Sequence, residues 1–281
     1  FDEHHARRVY GEYLRERTDP DANPIGHRDT IMPDQPSLSV IGVGKVGETL
    51  ARLFYQHGYR IAAVSSRTAE RAAAVAELVH ADVRDPLDAL NAADLTLLTV
   101  PDDVIASAAH AMADGEMIGD RRIVHTSGAL DARALDALRQ RGAAVGSFHP
   151  AYPFADVKSA LNGLPGAAFA VEAEDERLRG WLIEMAAALN GVVMVIPPGT
   201  KVLYHAALVI ASNYMVTLYA AARDLLTGIG ADSAAAEQAL NALVSGTVEN
   251  LRTVGIPDAL TGPLVRGDVG TIRAHLAALD A

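Results

Sequence analysis

An apolar run over residues 37–42 passes directly into Gly42-Val43-Gly44-Lys45-Val46-Gly47, and a helical pattern follows over 45–57 until Gly58 stops it. A strand, then G-x-G-x-x-G, then a helix constrains the fold more than any other feature of the chain, because each glycine has its own geometric duty. Gly42 makes the tight turn, Gly44 lets the main chain approach a diphosphate, and Gly47 lets helix and strand pack closely. The first turn of the helix offers free amides and partial positive charge to an anion. Gly42, Gly44, Lys45, Val46 and Gly47 are therefore the candidate cofactor loop.

The rest of the first two thirds alternates in the same way. Strands are expected over 60–65, near Asp82, and over 94–100, 121–126, 144–149, 166–171 and 192–196. Helices are expected over 68–79, 102–113, 132–141 and 174–189. Strands alternating with helices predict an α/β fold with a parallel, doubly wound Rossmann sheet. After Pro197 and Pro198 only helical patterns remain, over 200–227, 233–254 and 271–279. The reading is a Rossmann domain over 37–197 and an all-helical domain over 198–281. Residues 1–36 are polar, broken by four prolines, and read as a flexible N-terminal arm with a short helix over 10–17. His4 and His5 in that arm read as solvated tail residues, and no metal site is expected.

The long helix is apolar over much of its circumference, at Leu203, Leu208, Val209, Ile210, Met215, Val216 and Leu218. Such a helix is expected to be buried on several sides. A helical segment of this size rarely buries that surface alone, so a homodimer through the helical domain is expected.

Composition excludes several classes. The chain of 281 residues has a net charge of −11, which disfavours a nucleic-acid surface. It has no cysteine, so disulfides, thiolate catalysis and cysteine-ligated zinc are excluded. No window of about 18 residues is uninterruptedly apolar, so no membrane span is expected. The N-terminus lacks the apolar core of a secretory signal, and a cytoplasmic location is expected.

The second strand separates the two nicotinamide cofactors. An acid at its end would hold the ribose 2′-hydroxyl of NAD. Here the end reads Ser65-Ser66-Arg67, and no acid stands between Glu48 and Glu70. Two hydroxyls and a guanidinium suit a 2′-phosphate, so NADP(H) is the expected cofactor. Val100-Pro101 closes the next parallel strand, at the edge where ligands bind, and would lie near the nicotinamide ribose. The same residues can also be read as a helix start, with acids at the positive end of the dipole.

Three segments gather chemistry at that edge: His125-Thr126-Ser127-Gly128, His149-Pro150, and Lys201 with Tyr204 and His205. Lys201, Tyr204 and His205 share a helix face. Carbonyl reduction needs a proton donor, for which lysine or histidine serves, and a neighbouring hydroxyl can polarise the oxygen. Lys201, His205, His149 and Ser127 are the candidate catalytic residues. His125, Ser127, Gly128, Tyr204, Asn213 and Arg266 are the candidate substrate residues, with a small, anionic substrate expected. Asn213 lies roughly 120° around the helix from Lys201, so a straight helix turns it elsewhere. Arg266 could hold a carboxylate or phosphate, or simply precede a turn in which Asp268 caps the last helix.

The glycine loop, His125-Thr126-Ser127-Gly128, Ser147-Phe148-His149-Pro150, Tyr204-His205-Ala206-Ala207 with Ser212-Asn213-Tyr214, and Leu260-Thr261-Gly262-Pro263 with Arg266-Gly267-Asp268 together resemble one family. It is the Rossmann-like family whose C-terminal half is a domain of unknown function. More widely the chain resembles the superfamily of 6-phosphogluconate dehydrogenase, β-hydroxyacid dehydrogenases and ketopantoate reductase. That resemblance implies a commonly dimeric enzyme, with Lys201 in the place of a catalytic lysine and Ser127-Gly128 in the place of a serine-glycine segment. His205 stands where an asparagine is common. His149-Pro150 resembles prephenate dehydrogenase, whose neighbouring serine-x-lysine is absent here.

Three readings follow. One is an NADP-dependent oxidoreductase of a small keto or hydroxy acid, ketopantoate being a specific guess by resemblance. Another is a non-catalytic NADP-binding sensor or partner-binding dimer. A reductase that also uses a deazaflavin is a third.

Overall fold

The computed structural model describes residues 35–115 and 119–279, so the arm, its histidine pair and its expected helix lie outside the described residues. Eight strands form one sheet: β1 (Leu38–Ile41), β2 (Ile61–Ser65), β3 (Asp82–Val83), β4 (Leu95–Leu98), β5 (Arg122–His125), β6 (Ala144–Pro150), β7 (Ala168–Ala173) and β8 (Val192–Val195). Between them lie α1 (Lys45–Gln56), α2 (Ala69–Val79), α3 (Pro86–Ala92), α4 (Asp102–Ala113), the short α5 (Asp136–Arg139), α6 (Val157–Gly163) and α7 (Glu176–Ala188). The C-terminal helices are α8 (Lys201–Ala211), α9 (Asn213–Gly228), α10 (Ser233–Thr253) and α11 (Val269–Leu279).

The strand order is β3-β2-β1-β4-β5-β6-β7-β8, with the first six parallel, as the alternating pattern predicts. The last pair departs from it. β7 runs antiparallel to β6, and β8 runs parallel to β7. A parallel return needs a crossover that carries the chain back past the sheet. Here Ala151 donates to the carbonyl of Ala168 at 2.8 Å, so the chain re-enters where it left. Phe148 and Phe169 then stack across that pair at 4.9 Å.

β1, β2 and β4 are fully buried, the mark of a sheet covered on both faces. On one face Leu50 and Phe54 of α1 join Trp181 and Met185 of α7 and the Phe148–Phe169 pair. On the other, Ile105 and Met112 of α4 join Leu135 and Leu138.

The expected long helix is two helices. Ser212 leaves helical geometry, at φ −116° and ψ −69°, and separates α8 from α9. Ser and Asn side chains compete for main-chain hydrogen bonds, so the Ser212-Asn213 pair is a natural break. The expected burial on several sides is not found within one chain. α8 buries only Lys201, and α9 buries no residue. Leu203 is 76% exposed and Leu218 70%, because α10 and α11 leave that face uncovered. The span Lys201–Gly228 is long and apolar enough by length and composition to cross a membrane, with a mean hydropathy of 1.3. Apolar length alone therefore does not exclude a span. α8 nevertheless begins inside the protein, on a lysine that is 1% exposed.

Candidate active site

The glycine loop follows β1. Gly42 has φ +99°, which an L side chain rarely adopts, and a Cβ there would meet Val100 Cγ1 at 2.8 Å. A Cβ on Gly47 would strike the Gly42 carbonyl and the Thr99 hydroxyl. Nothing lies within 4 Å of a Cβ on Gly44, the N-cap of α1, which has no side-chain cap. Two glycines are thus tight and one faces open space, the cradle a diphosphate requires. Thr99 locks it, since its hydroxyl lies 2.7 Å from the Gly42 carbonyl and 3.2 Å from that of Ile41. Sequence reading missed Thr99, whose residue type carries no signal until β4 is placed beside β1.

At the end of β2, Ser65 is buried and its carbonyl accepts from Gly42 N at 2.8 Å. Ser66 is half-buried, and its hydroxyl accepts from Thr68 N at 3.3 Å. Arg67 is exposed, without an ion-pair partner among the described residues. Ser66 and Arg67 are therefore the available groups, while Ser65 supports the loop from beneath. Lys45 is exposed and Val46 half-buried on the first turn of α1. Val100 is half-buried, and Pro101 is the exposed N-cap of α4.

The chemical segments do converge. Lys201 Nζ donates to the carbonyl of Ser127 at 3.0 Å. Burial lowers the Lys201 ammonium to about 8, against the opposing pull of Glu172, Asp102 and Asp131. Its Nζ also lies 5.5 Å from the centre of the Tyr204 ring. His149 Nδ1 lies 2.8 Å from the Tyr204 hydroxyl. Burial, then the charges of Lys201, His205 and His125, push His149 down to about 3, so its ring is neutral. Burial holds the Tyr204 phenol up at about 12. A Cβ on Gly128 would meet His149 Nε2 and His205 Cδ2, each at 2.8 Å. A missing side chain thus lets two imidazoles, one from β6 and one from α8, close over the same backbone.

Two expected residues serve this site from behind. The Ser127 hydroxyl donates to Asp102 Oδ2 at 2.8 Å and accepts from the amides of Ala129 and Leu130. One donor and two lone pairs are all a hydroxyl has, so it builds the loop, and the expected polarising role falls away. His125 is likewise filled: Nδ1 accepts from Ser127 N at 3.2 Å, and Nε2 donates to the Asp131 carbonyl at 2.9 Å. Burial lowers it to about 4, and both of its ring nitrogens are engaged in shaping the loop. Asp102 and Glu172 were missed as partners. Asp102 reads as a first-turn acid. Glu172 lies on β7, is 8% exposed, and has its carboxyl pushed up by burial.

Asn213 is exposed on the first turn of α9, beyond the break at Ser212, and Arg266 is also exposed. Neither side chain has a hydrogen bond or ion pair among the described residues. Asp268 caps α11, accepting from Thr271 N at 3.0 Å and from the Thr271 hydroxyl at 2.7 Å. No group of three or more metal-ligating side chains occurs among the described residues.

Residues 18–150 match the Rossmann-like domain family, and residues 167–281 match the domain of unknown function DUF2520. The second match begins ahead of the double proline and includes β7, α7 and β8. No curated protein sequence matches the chain. Among solved structures, a candidate NADP oxidoreductase of Bacteroides fragilis, BF3122, is 25% identical, with a TM-score of 0.68 over 88% of this chain and 92% of its own. Protein TM1727 of Thermotoga maritima is 26% identical, with a TM-score of 0.68 over 85% of this chain and 87% of its own. A reductive aminase of Aspergillus terreus, crystallised with NADPH and ethyl-5-oxohexanoate, is 19% identical, with a TM-score of 0.61 over 77% of this chain and 75% of its own. The chain is thus similar to a Rossmann-like domain over residues 18–150 and to the DUF2520 domain over residues 167–281.

Proposed function

We propose that the protein is an NADPH-dependent reductase of a small carbonyl compound, a keto acid among the candidates. The observation that carries this reading is the buried Lys201, a lowered-pKa ammonium beside the Gly128–His149–His205 cluster, at the same sheet edge as the glycine cradle. The oxidoreductase of similar fold and 25% identity supports the cofactor class.

The cradle fits NADP(H). Gly42, Gly44 and Gly47 with the first turn of α1 would hold the diphosphate. Ser66 and Arg67 would hold the 2′-phosphate, and Val100 and Pro101 would border the nicotinamide end. When bound, the cofactor supplies hydride to the carbonyl carbon. The chain's own task is the oxygen. Lys201 stands by to give it a proton and regains one from solvent. His149 and His205, which close over Gly128, would border the bound carbonyl. Ser127, His125 and Asp102 fix the loop that receives Lys201. Ketopantoate belongs in the screen, but no feature of the site singles it out.

The uncovered apolar face of α8 and α9 supports the further reading of a homodimer through the helical domain. Both proposals place the division between the sheet domain and the helices near residue 197.

Calorimetric titration of NADPH and NADH tests the cofactor. NADPH binding at least about tenfold tighter supports the reading, while equal binding or none removes it. A keto-acid screen following NADPH oxidation, repeated with Lys201→Met, tests the chemistry. Tight NADPH binding with every carbonyl inert would favour the sensor instead.

A further inference from the structure

Two imidazoles close over Gly128, but only one is held by a hydrogen bond. His149 Nδ1 is 2.8 Å from the Tyr204 hydroxyl, the rings meeting edge to face at 86°. No hydrogen bond is found for the His205 ring among the described residues. A neutral imidazole has one donor nitrogen and one acceptor nitrogen, and the partner of one fixes the role of the other.

Two arrangements satisfy the 2.8 Å contact. In the first, the phenol O–H donates to Nδ1, and Nε2 carries the ring proton. In the second, Nδ1–H donates to the phenol oxygen, and the phenol proton must find another acceptor. The Tyr204 hydroxyl has no other hydrogen-bond partner among the described residues. The second arrangement therefore orphans a half-buried donor, whereas the first satisfies it. The nearby Lys201 ammonium also disfavours a doubly protonated ring. The nitrogen that meets the Gly128 face is Nε2.

We infer that Tyr204 is a positioning residue that holds His149 as a neutral Nε2–H donor, so that a group bound against that nitrogen is a hydrogen-bond acceptor. Lys201 presents donors on the same side. A carbonyl oxygen, or an imine nitrogen with its lone pair free, matches these donors. A protonated iminium or an ammonium does not. The assignment of that acceptor as the reacting atom rests on the reductase reading, whereas the tautomer does not depend on it.

The test is a long-range proton–nitrogen correlation spectrum of the full chain carrying 15N-histidine, with His149→Gln used to identify the His149 signals. The expected result is an Nε2-protonated, non-titrating ring between pH 5.5 and 8.5. In Tyr204→Phe that ring becomes a mixture of tautomers or begins to titrate. Turnover of the best carbonyl substrate falls roughly 10- to 100-fold, with NADPH affinity unchanged. N-methyl-1-pyrrolinium, which is permanently cationic, is not reduced. An Nδ1-protonated His149 in the unsubstituted protein overturns the inference, as does a tautomer that ignores Tyr204→Phe. Reduction of the pyrrolinium overturns the acceptor assignment. Failure of NADPH to bind removes the reductase reading while the spectrum still decides the tautomer.

Discussion

The Lys201 ammonium and the Ser127 carbonyl lie 3.0 Å apart across 74 residues of sequence, which ties the first turn of α8 to the loop after β5. Burial brings this ammonium to about 8, so its charge changes inside the working pH range. Carbonyl reduction uses the protonated form and is expected to decline as pH rises through about 8. Alcohol oxidation uses the free amine and is expected to rise through the same point. Lys201→Met should lower turnover roughly 10²- to 10⁴-fold, and Lys201→Arg should remove the limb near 8 from any residual activity. Rates against pH in both directions, in one buffer series, check this.

Gly44 and Gly47 should respond oppositely to the same substitution. A Cβ on Gly47 collides with the Gly42 carbonyl and the Thr99 hydroxyl, so Gly47→Ala is expected to cost about 1–3 kcal/mol of stability. A Cβ on Gly44 meets nothing, so Gly44→Ala should melt like the unsubstituted protein yet bind NADPH at least about tenfold more weakly, by filling the approach to the main chain. Melting curves and calorimetry on both variants separate the two effects.

Arg67 is exposed and adjoins Ser66 at the end of β2. Arg67→Ala should weaken NADPH about 10- to 100-fold, as a lost charge-assisted contact would, while NADH affinity changes little. Parallel titrations measure that ratio, and an unchanged ratio would remove Arg67 from the site.

His125 and His149 remain neutral in the folded chain, at about 4 and about 3, below the ordinary imidazole value of 6.5. The unfolded chain takes up protons below that value and the folded chain does not. Stability is therefore expected to fall with pH from about 6.5 towards 4, by up to about 1.4 kcal/mol per pH unit for each ring. Urea unfolding at pH 7.5, 6 and 5 reads the slope, and His149→Gln should make it shallower.

The proposed homodimer predicts a solution mass twice the 29.6 kDa of the chain. Leu218→Arg places a charge on the uncovered α9 face and should return the mass to that of one chain, as read by light scattering.

What the sequence made legible is mostly local. The strand, the three glycines and the helix lie within 20 residues, so their order alone fixes the cradle. Lys201, Tyr204 and His205 share one helical turn, and their common face survives in the structure. Features that arise between distant segments escaped. Asp102 and Ser127 are 25 residues apart and meet only once β4 and β5 are paired. His125 and Ser127 looked available because nothing local shows that every polar atom already has a partner. The reversal of β7 leaves no trace in its apolar pattern, since buried strands read alike in either direction. The break at Ser212 was visible as a Ser-Asn pair, but the apolar residues on both sides outweighed it.

The imidazole pair over Gly128 lies at a seam. His149 is carried by the sheet, His205 by the first helix beyond it, and the distance between them depends on how α8 is seated against β6. A small rocking of α8 would part or close the two rings directly. The Lys201–Ser127 contact acts as the pin of that joint.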